Sequence, residues 1–293
     1  MKSNVTDLTA SLAEMLVGGL IIEVTSAEQA TLAEAAGASG VMVVARLAAD
    51  CRIVGGVGRM VDPATIRSVQ SVVSIPVMAK CRVGHEVEAE ILAELGVDYI
   101  DESEALSPVD REAPIKKSEW RTPFIAGAHD LASAMQRMAE GASVIRCSGA
   151  SGSGDVSLAV QQLRAITGQA RKLQQYPRAE LPTVALELGV SHHLLADVAK
   201  RGRLPVVTFG AGGVVSPADA ALLRRAGADC VMVGSGIFHS ADPLRRAAAL
   251  VTATAHFSDA ELIAKVSQGL GREMTGIPAM PSLPDDTPDE WGY

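Results

Sequence analysis

Aromatic residues are scarce in this chain. Phenylalanine, tyrosine and tryptophan make up 3% of its 293 residues, although 48% are hydrophobic. A core must therefore be built from alanine, valine, leucine and glycine, which suits tightly interleaved strands and helices. Positive charge is also short: 26 lysines and arginines face 34 acidic residues, a net charge of −8. That balance argues against a general nucleic-acid binder. No apolar run reaches membrane-spanning length. The start, Met1 to Asp7, lacks the apolar core of a signal peptide, so a cytoplasmic location is expected. The four cysteines, Cys51, Cys81, Cys147 and Cys230, form no CxxC pair or zinc spacing and read as isolated reduced thiols. Cys81 and Cys147 nevertheless adjoin candidate site residues. The histidines show no metal spacing either, and no metal or cofactor is expected.

What the chain does have is repetition. Eight short runs rich in valine, isoleucine and methionine recur at Leu20–Val24, Gly40–Val44, Pro76–Ala79, Tyr99–Asp101, Phe124–Ala126, Val144–Cys147, Val206–Phe209 and Cys230–Val233. Their continuous apolarity fits strands covered on both faces. Alanine-rich segments of helical spacing lie between them. Ser26 and Ser216 read as helix caps, the latter followed by Pro217 at the first helical position. Helices are expected to end at Gly37, Gly96, Gly141 and Gly227. Eight strand–helix units predict a (β/α)8 TIM barrel, with an open doubly wound sheet as the alternative. An extra N-terminal helix is expected over Leu8–Leu16, and a helical insertion from Ser157 to Arg201. Residues 1–277 should form one barrel domain, and 278–293, rich in proline and aspartate, a flexible tail.

In such barrels the chemistry sits at the C-terminal ends of the strands. The candidates there are Glu23, Arg46, Lys80, Asp101, Glu102, Arg146 and Ser148. Glycine turns follow strands seven and eight at Gly210–Gly213 and Gly234–Gly236. Glycine lets backbone N–H groups approach phosphate oxygens, and a following helix start favours an anion. Gly152-Ser153-Gly154, after strand six, is a third turn that can close over the same phosphate. Lys80, after a buried strand, can form an imine with a sugar carbonyl if it is unprotonated when it attacks. The alternatives for it are a solvated loop lysine or a partner of Asp101. Glu23 can move protons around that carbonyl, or simply pair with a cation.

These motifs resemble the synthase subunit of glutaminase-coupled pyridoxal 5'-phosphate synthase. The resemblance runs from about Leu12 to Met274. It is carried by Gly18–Val24, Ala27–Ala30, Ile75–Lys80, Gly96–Glu104, Ala211–Val214 and Val233–Phe238. It implies a (β/α)8 barrel assembled as two stacked hexameric rings, and a glutaminase partner that supplies ammonia. It also implies ribose 5-phosphate or ribulose 5-phosphate as substrate, held as an imine on Lys80. The pentose-phosphate contacts would fall on Gly152, Gly213, Gly234 and Ser235, and a second, triose-phosphate site on Arg137 and Arg164.

The departures are uneven. Glu23 stands where the family has aspartate, one methylene shorter, and a displacement of ~1 Å can cost about a hundredfold in rate. Ser148 stands where the family has its second lysine, which takes the intermediate over from the first. The second anion site lacks a histidine near Pro114 and has Gln136 beside Arg137. Three readings follow. The first is an enzyme that captures a pentose 5-phosphate on Lys80, with Glu23 as acid/base and Asp101 nearby, and diverts it to another product. The second is a pseudoenzyme that co-assembles with a true synthase. The third is a full synthase using another residue in place of the second lysine.

Overall fold

The computed structural model describes residues 13–277. Eight parallel strands close into a barrel in chain order, β1 pairing with both β2 and β8. They are β1 (Leu20–Val24), β2 (Gly40–Val43), β3 (Val77–Arg82), β4 (Tyr99–Ser103), β5 (Phe124–Ala128), β6 (Val144–Cys147), β7 (Val207–Ala211) and β8 (Cys230–Val233). Closure excludes the open doubly wound sheet. Residues 8–12 of the expected N-terminal helix lie outside the described residues, and the expected tail lies entirely outside them.

The helices follow from their ends. Helix α1 (Ala27–Ala35) starts at Ser26, whose side chain accepts from the Gln29 amide. The helix Pro217–Ala226 starts with a reciprocal Ser216–Asp219 capping box and stops at Gly227, in the left-handed region at φ 113°. Gly37, Gly96 and Gly141 also have positive φ just past helix ends. The sixth-to-seventh interval holds three helices, Ser157–Leu173, Leu181–Glu187 and His192–Arg201. They bury a separate apolar cluster that includes Leu163's neighbour Ile166, Leu181 and Leu195.

Period-two alternation divides each strand between two cores. Leu20, Ile22 and Val24 of β1 face the helices, as do Val77, Ala79 and Cys81 of β3. Ile21, Met42, Met78, Tyr99, Ile125, Val144 and Phe209 fill the barrel interior. Two residues along from Ile21, Met78, Tyr99 and Val144, the same inward face carries Glu23, Lys80, Asp101 and Arg146. Four charged side chains thus lie directly above an apolar plug.

Candidate active site

Lys80 is the fourth residue of β3, which runs on to Arg82. The expectation that the strand stops at Ala79 and Lys80 follows it is therefore corrected, and the alternative of a solvated loop lysine falls with it. The strand continues because its N–H and C=O groups pair with β4, Lys80 standing opposite Asp101. The lysine projects into the lumen and is 8% exposed. Its ammonium pairs with Glu23 of β1. Glu23 is packed over the eighth-strand turn: a Cβ at Gly234 would lie 2.8 Å from both the Glu23 Cβ and Oε2. That glycine is what leaves room for the glutamate.

Asp101 is completely buried and pairs with Arg146 rather than Lys80, at 3.1 Å to Nε and 3.3 Å to a terminal nitrogen. Arg146 also donates to Ser103 at 3.1 Å and to both oxygens of Glu104 at 3.2 and 3.1 Å. Ser148 donates to Glu104 as well. One guanidinium thus serves two carboxylates. Burial pushes the Asp101 carboxyl up, against the pull of Arg146 and Lys80. Burial acts upward on Glu104 too, but the Arg146 charge and the Ser148 hydrogen bond outweigh it and hold that carboxyl at about 2. Glu104 rests on Gly127 of β5, where any Cβ would overlap its carboxylate.

Glu102, the next acid in the run, points outward into the helix layer. Lys117 pairs with it at 2.5 Å, and the amides of Gly84 and Ile115 donate to it at 2.9 Å. Its work is to hold the loop before β5. Cys81 and Cys147 also face the helices and are buried. Burial pushes both thiols up, Cys147 to about 11, which makes them packing residues rather than nucleophiles.

The glycine turns converge beside Lys80. One pocket is lined by Glu23, Lys80, Gly152, Gly213, Gly234 and Ser235, with Met274 from the C-terminal segment. Gly213 has φ 78°, and a Cβ there would overlap the Asp155 carbonyl. Such a backbone is open only to glycine. The helix α2 (Ala48–Val54) covers this pocket. Its Ala49 amide donates to the Ser235 hydroxyl at 3.0 Å, and Ala48 sits against Gly152, where a Cβ could not fit. The Ser235 O–H remains able to donate.

A wider cavity of about 840 Å³ opens over the same lysine, lined by Glu23, Lys80, Arg46, Arg59, Glu104 and Ser148 among others. Arg137 and Arg164 line neither space. Arg137 is held by Glu140 at 2.9 Å on its own helix, Leu131–Ala139, and Arg164 is exposed on Ser157–Leu173.

Sequence reasoning named Arg146 and noted the carboxylate run, but assigned no role to Glu104, Gly127, Ala49 or Met274. The available signal was a charged residue, Arg146, inside an otherwise apolar four-residue strand. A buried cation there requires acidic partners.

Among the described residues no group of acidic, histidine and cysteine side chains is arranged to hold a metal, and no helix is long and apolar enough to cross a membrane. Comparison with known proteins gives a match to the SOR/SNZ family model over residues 5–211. The pyridoxal 5'-phosphate synthase subunit PdxS of Heliobacterium modesticaldum is 50% identical over 273 residues, 93% of this chain and 92% of that protein. The subunit of the same name from Roseiflexus sp. strain RS-1 is 52% identical over 266 residues, 91% of each. Among solved structures, thiamine phosphate pyrophosphorylase from Pyrococcus furiosus is similar with a TM-score of 0.52 at 12% identity, covering 85% of this chain and 100% of that one. That last likeness concerns the fold alone.

Proposed function

The chain belongs to the SOR/SNZ family, and from that premise we propose that it captures a pentose 5-phosphate, ribose or ribulose 5-phosphate, as an imine on Lys80. The observation that carries this reading is the Lys80–Glu23 pair at the rim of a glycine-lined pocket. The phosphate is held by the turns at Gly152, Gly213, Gly234 and Ser235, through backbone N–H groups and the Ser235 hydroxyl. The Lys80 nitrogen attacks the sugar carbonyl carbon, and the carbonyl oxygen leaves as water. Glu23 relays two protons from the lysine nitrogen, one from its ammonium before attack and one after it, to the oxygen that departs as water. Asp101, held by Arg146, stands opposite Lys80 in the sheet and fixes the floor of the site beneath this pair.

Beyond that point the chain is equipped differently from a two-lysine relay. Ser148 offers a hydroxyl, and a hydroxyl cannot form an imine. The captured pentose therefore leaves by a different route from the relay, towards a product other than pyridoxal phosphate. The relatives are named as subunits, which supports assembly with other chains. Hexameric rings or a dodecamer, and a glutaminase that delivers ammonia, are the corresponding proposal for this chain.

Incubation with ribose 5-phosphate, reduction with borohydride and intact-mass measurement test the reading. The expected result is one pentose-phosphate adduct on the wild-type chain and none on Lys80→Ala. No adduct on the wild type, or equal adducts on both, would overturn it. A second reading is favoured by Ser148 and by Arg137 being committed to Glu140: an impaired partner that co-assembles with and regulates a true synthase homologue. Absence of the adduct together with co-purification of such a homologue from native cells is its expected signature.

A further inference from the structure

The cavity of about 840 Å³ is of the size that takes a whole small molecule. Ammonia or water needs only about 30 Å³. Its lining also carries opposite charges on different segments. Arg46 follows β2, and Arg59 lies in the loop after α2; both are exposed. Neither guanidinium has a hydrogen-bond or ion-pair partner among the described residues. Arg52, between them, is committed to the Ser151 carbonyl at 2.6 Å. Glu104 and Ser148 come from the ends of β4 and β6. A carboxylate offers about four lone-pair positions. Those on Glu104 are taken by two Arg146 nitrogens, by Ser148 and by its own backbone N–H. The side chain is still 36% exposed, so its negative charge faces the cavity and attracts a ligand's ammonium.

We infer that this cavity binds a second substrate: a primary amine of amino-acid size that carries its own carboxylate or phosphate. The anionic group is taken by Arg46 and Arg59, and the ammonium by Glu104 and Ser148. Charge-assisted hydrogen bonds of this kind are the strong ones. The inference rests on the imine reading of Lys80 and deepens it, because the same cavity reaches Lys80. The ammonium first gives one proton to Glu23, which lines the same cavity, and the amine then attacks the carbon of the protonated Lys80 imine. A bond forms between that nitrogen and the carbon, and one proton passes from it to Lys80 Nζ. The carbon–Nζ bond then breaks. The lysine amine is freed, and the pentose phosphate remains as a protonated imine of the incoming amine. No oxidant, reductant or further water is consumed.

The test starts from the Lys80 adduct formed with ribose 5-phosphate. Ammonium chloride, methylamine, glycine and O-phosphoethanolamine are added at one pH and at equal free-base concentration. Loss of adduct is followed by intact mass, and the released imine is trapped by borohydride. Glycine and O-phosphoethanolamine are expected to displace the sugar at least about tenfold faster than methylamine. Arg46→Ala/Arg59→Ala should abolish that preference, and Arg46→Lys/Arg59→Lys should retain part of it. Equal displacement by methylamine and glycine, or an unchanged preference in the alanine pair, would overturn the inference. If no adduct forms, the imine reading fails separately. Saturation-transfer NMR on the unreacted protein then decides: arginine-dependent binding of glycine or O-phosphoethanolamine upholds the site, and no binding of either overturns it.

Discussion

Arg146 shows how much one side chain can organise. It is 2% exposed and carries two carboxylates and a hydroxyl. Removing it leaves Asp101 buried without a cation, and breaking a buried pair costs about 3–5 kcal/mol. Arg146→Met should therefore lower stability by that order, read from a urea melt. Glu104 and Asp101 act on pH with opposite signs. The Glu104 carboxyl is depressed from 4.5 to about 2, so its contribution is fully present above 4.5 and is lost as pH falls towards 2. Wild-type stability should fall more steeply over that interval than that of Glu104→Gln, measured by denaturant melts at a series of pH values. The Asp101 carboxyl is raised, so its burial costs stability above the raised value, and acidification through that value relieves the cost.

At the scale of elements, strand alternation turns a list of charged residues into a site. Glu23, Lys80, Asp101 and Arg146 come from four strands, and each lies two residues beyond an apolar lumen residue. A shift of one residue in any strand would turn its charged member towards the helices. Glycines govern how closely the elements approach. Gly127→Ala in β5 should push Glu104 off its seat and loosen Arg146, since a Cβ there overlaps the carboxylate. Overpacking of this kind costs typically ~1–3 kcal/mol, and the melt of that variant should show it. The Ala49–Ser235 hydrogen bond ties α2 to the glycine turn after β8. Ser235→Ala should release that tie, and faster amide exchange at Ala49 would report it.

At the scale of the whole molecule, the barrel keeps the glycine turns after β7 and β8 beside a lysine on β3. In the proposed function, phosphate holding and imine formation are then separable. Ribose 5-phosphate should raise the melting temperature of Lys80→Ala as well as of the wild type, because the turns stay intact. A ligand at a hundred times its Kd stabilises the folded state by about 2.7 kcal/mol. Gly213→Ala, strained at positive φ and blocked by the Asp155 carbonyl, should lose most of that shift. An equal shift in all three proteins would place the phosphate elsewhere.

The sequence by itself determined the architecture. Eight apolar runs at near-regular spacing, serine caps and terminal glycines are local signals, and each acts through neighbours only a few residues away. Every strand was legible, three of them to the residue, and Lys80 and the glycine turns stood out as candidates. What lay beyond reach were the pairings between distant strands. The run from Asp98 to Glu104 offered several acids of equal appearance. Only closure of the barrel decided that Asp101 and Glu104 meet Arg146, that Glu102 turns outward to Lys117, and that Lys80 takes Glu23 as its partner. The physical reason is that alternation sets which face a side chain occupies, whereas its partner depends on which strand lies alongside or across the lumen. That is a property of the closed sheet, absent from any segment alone.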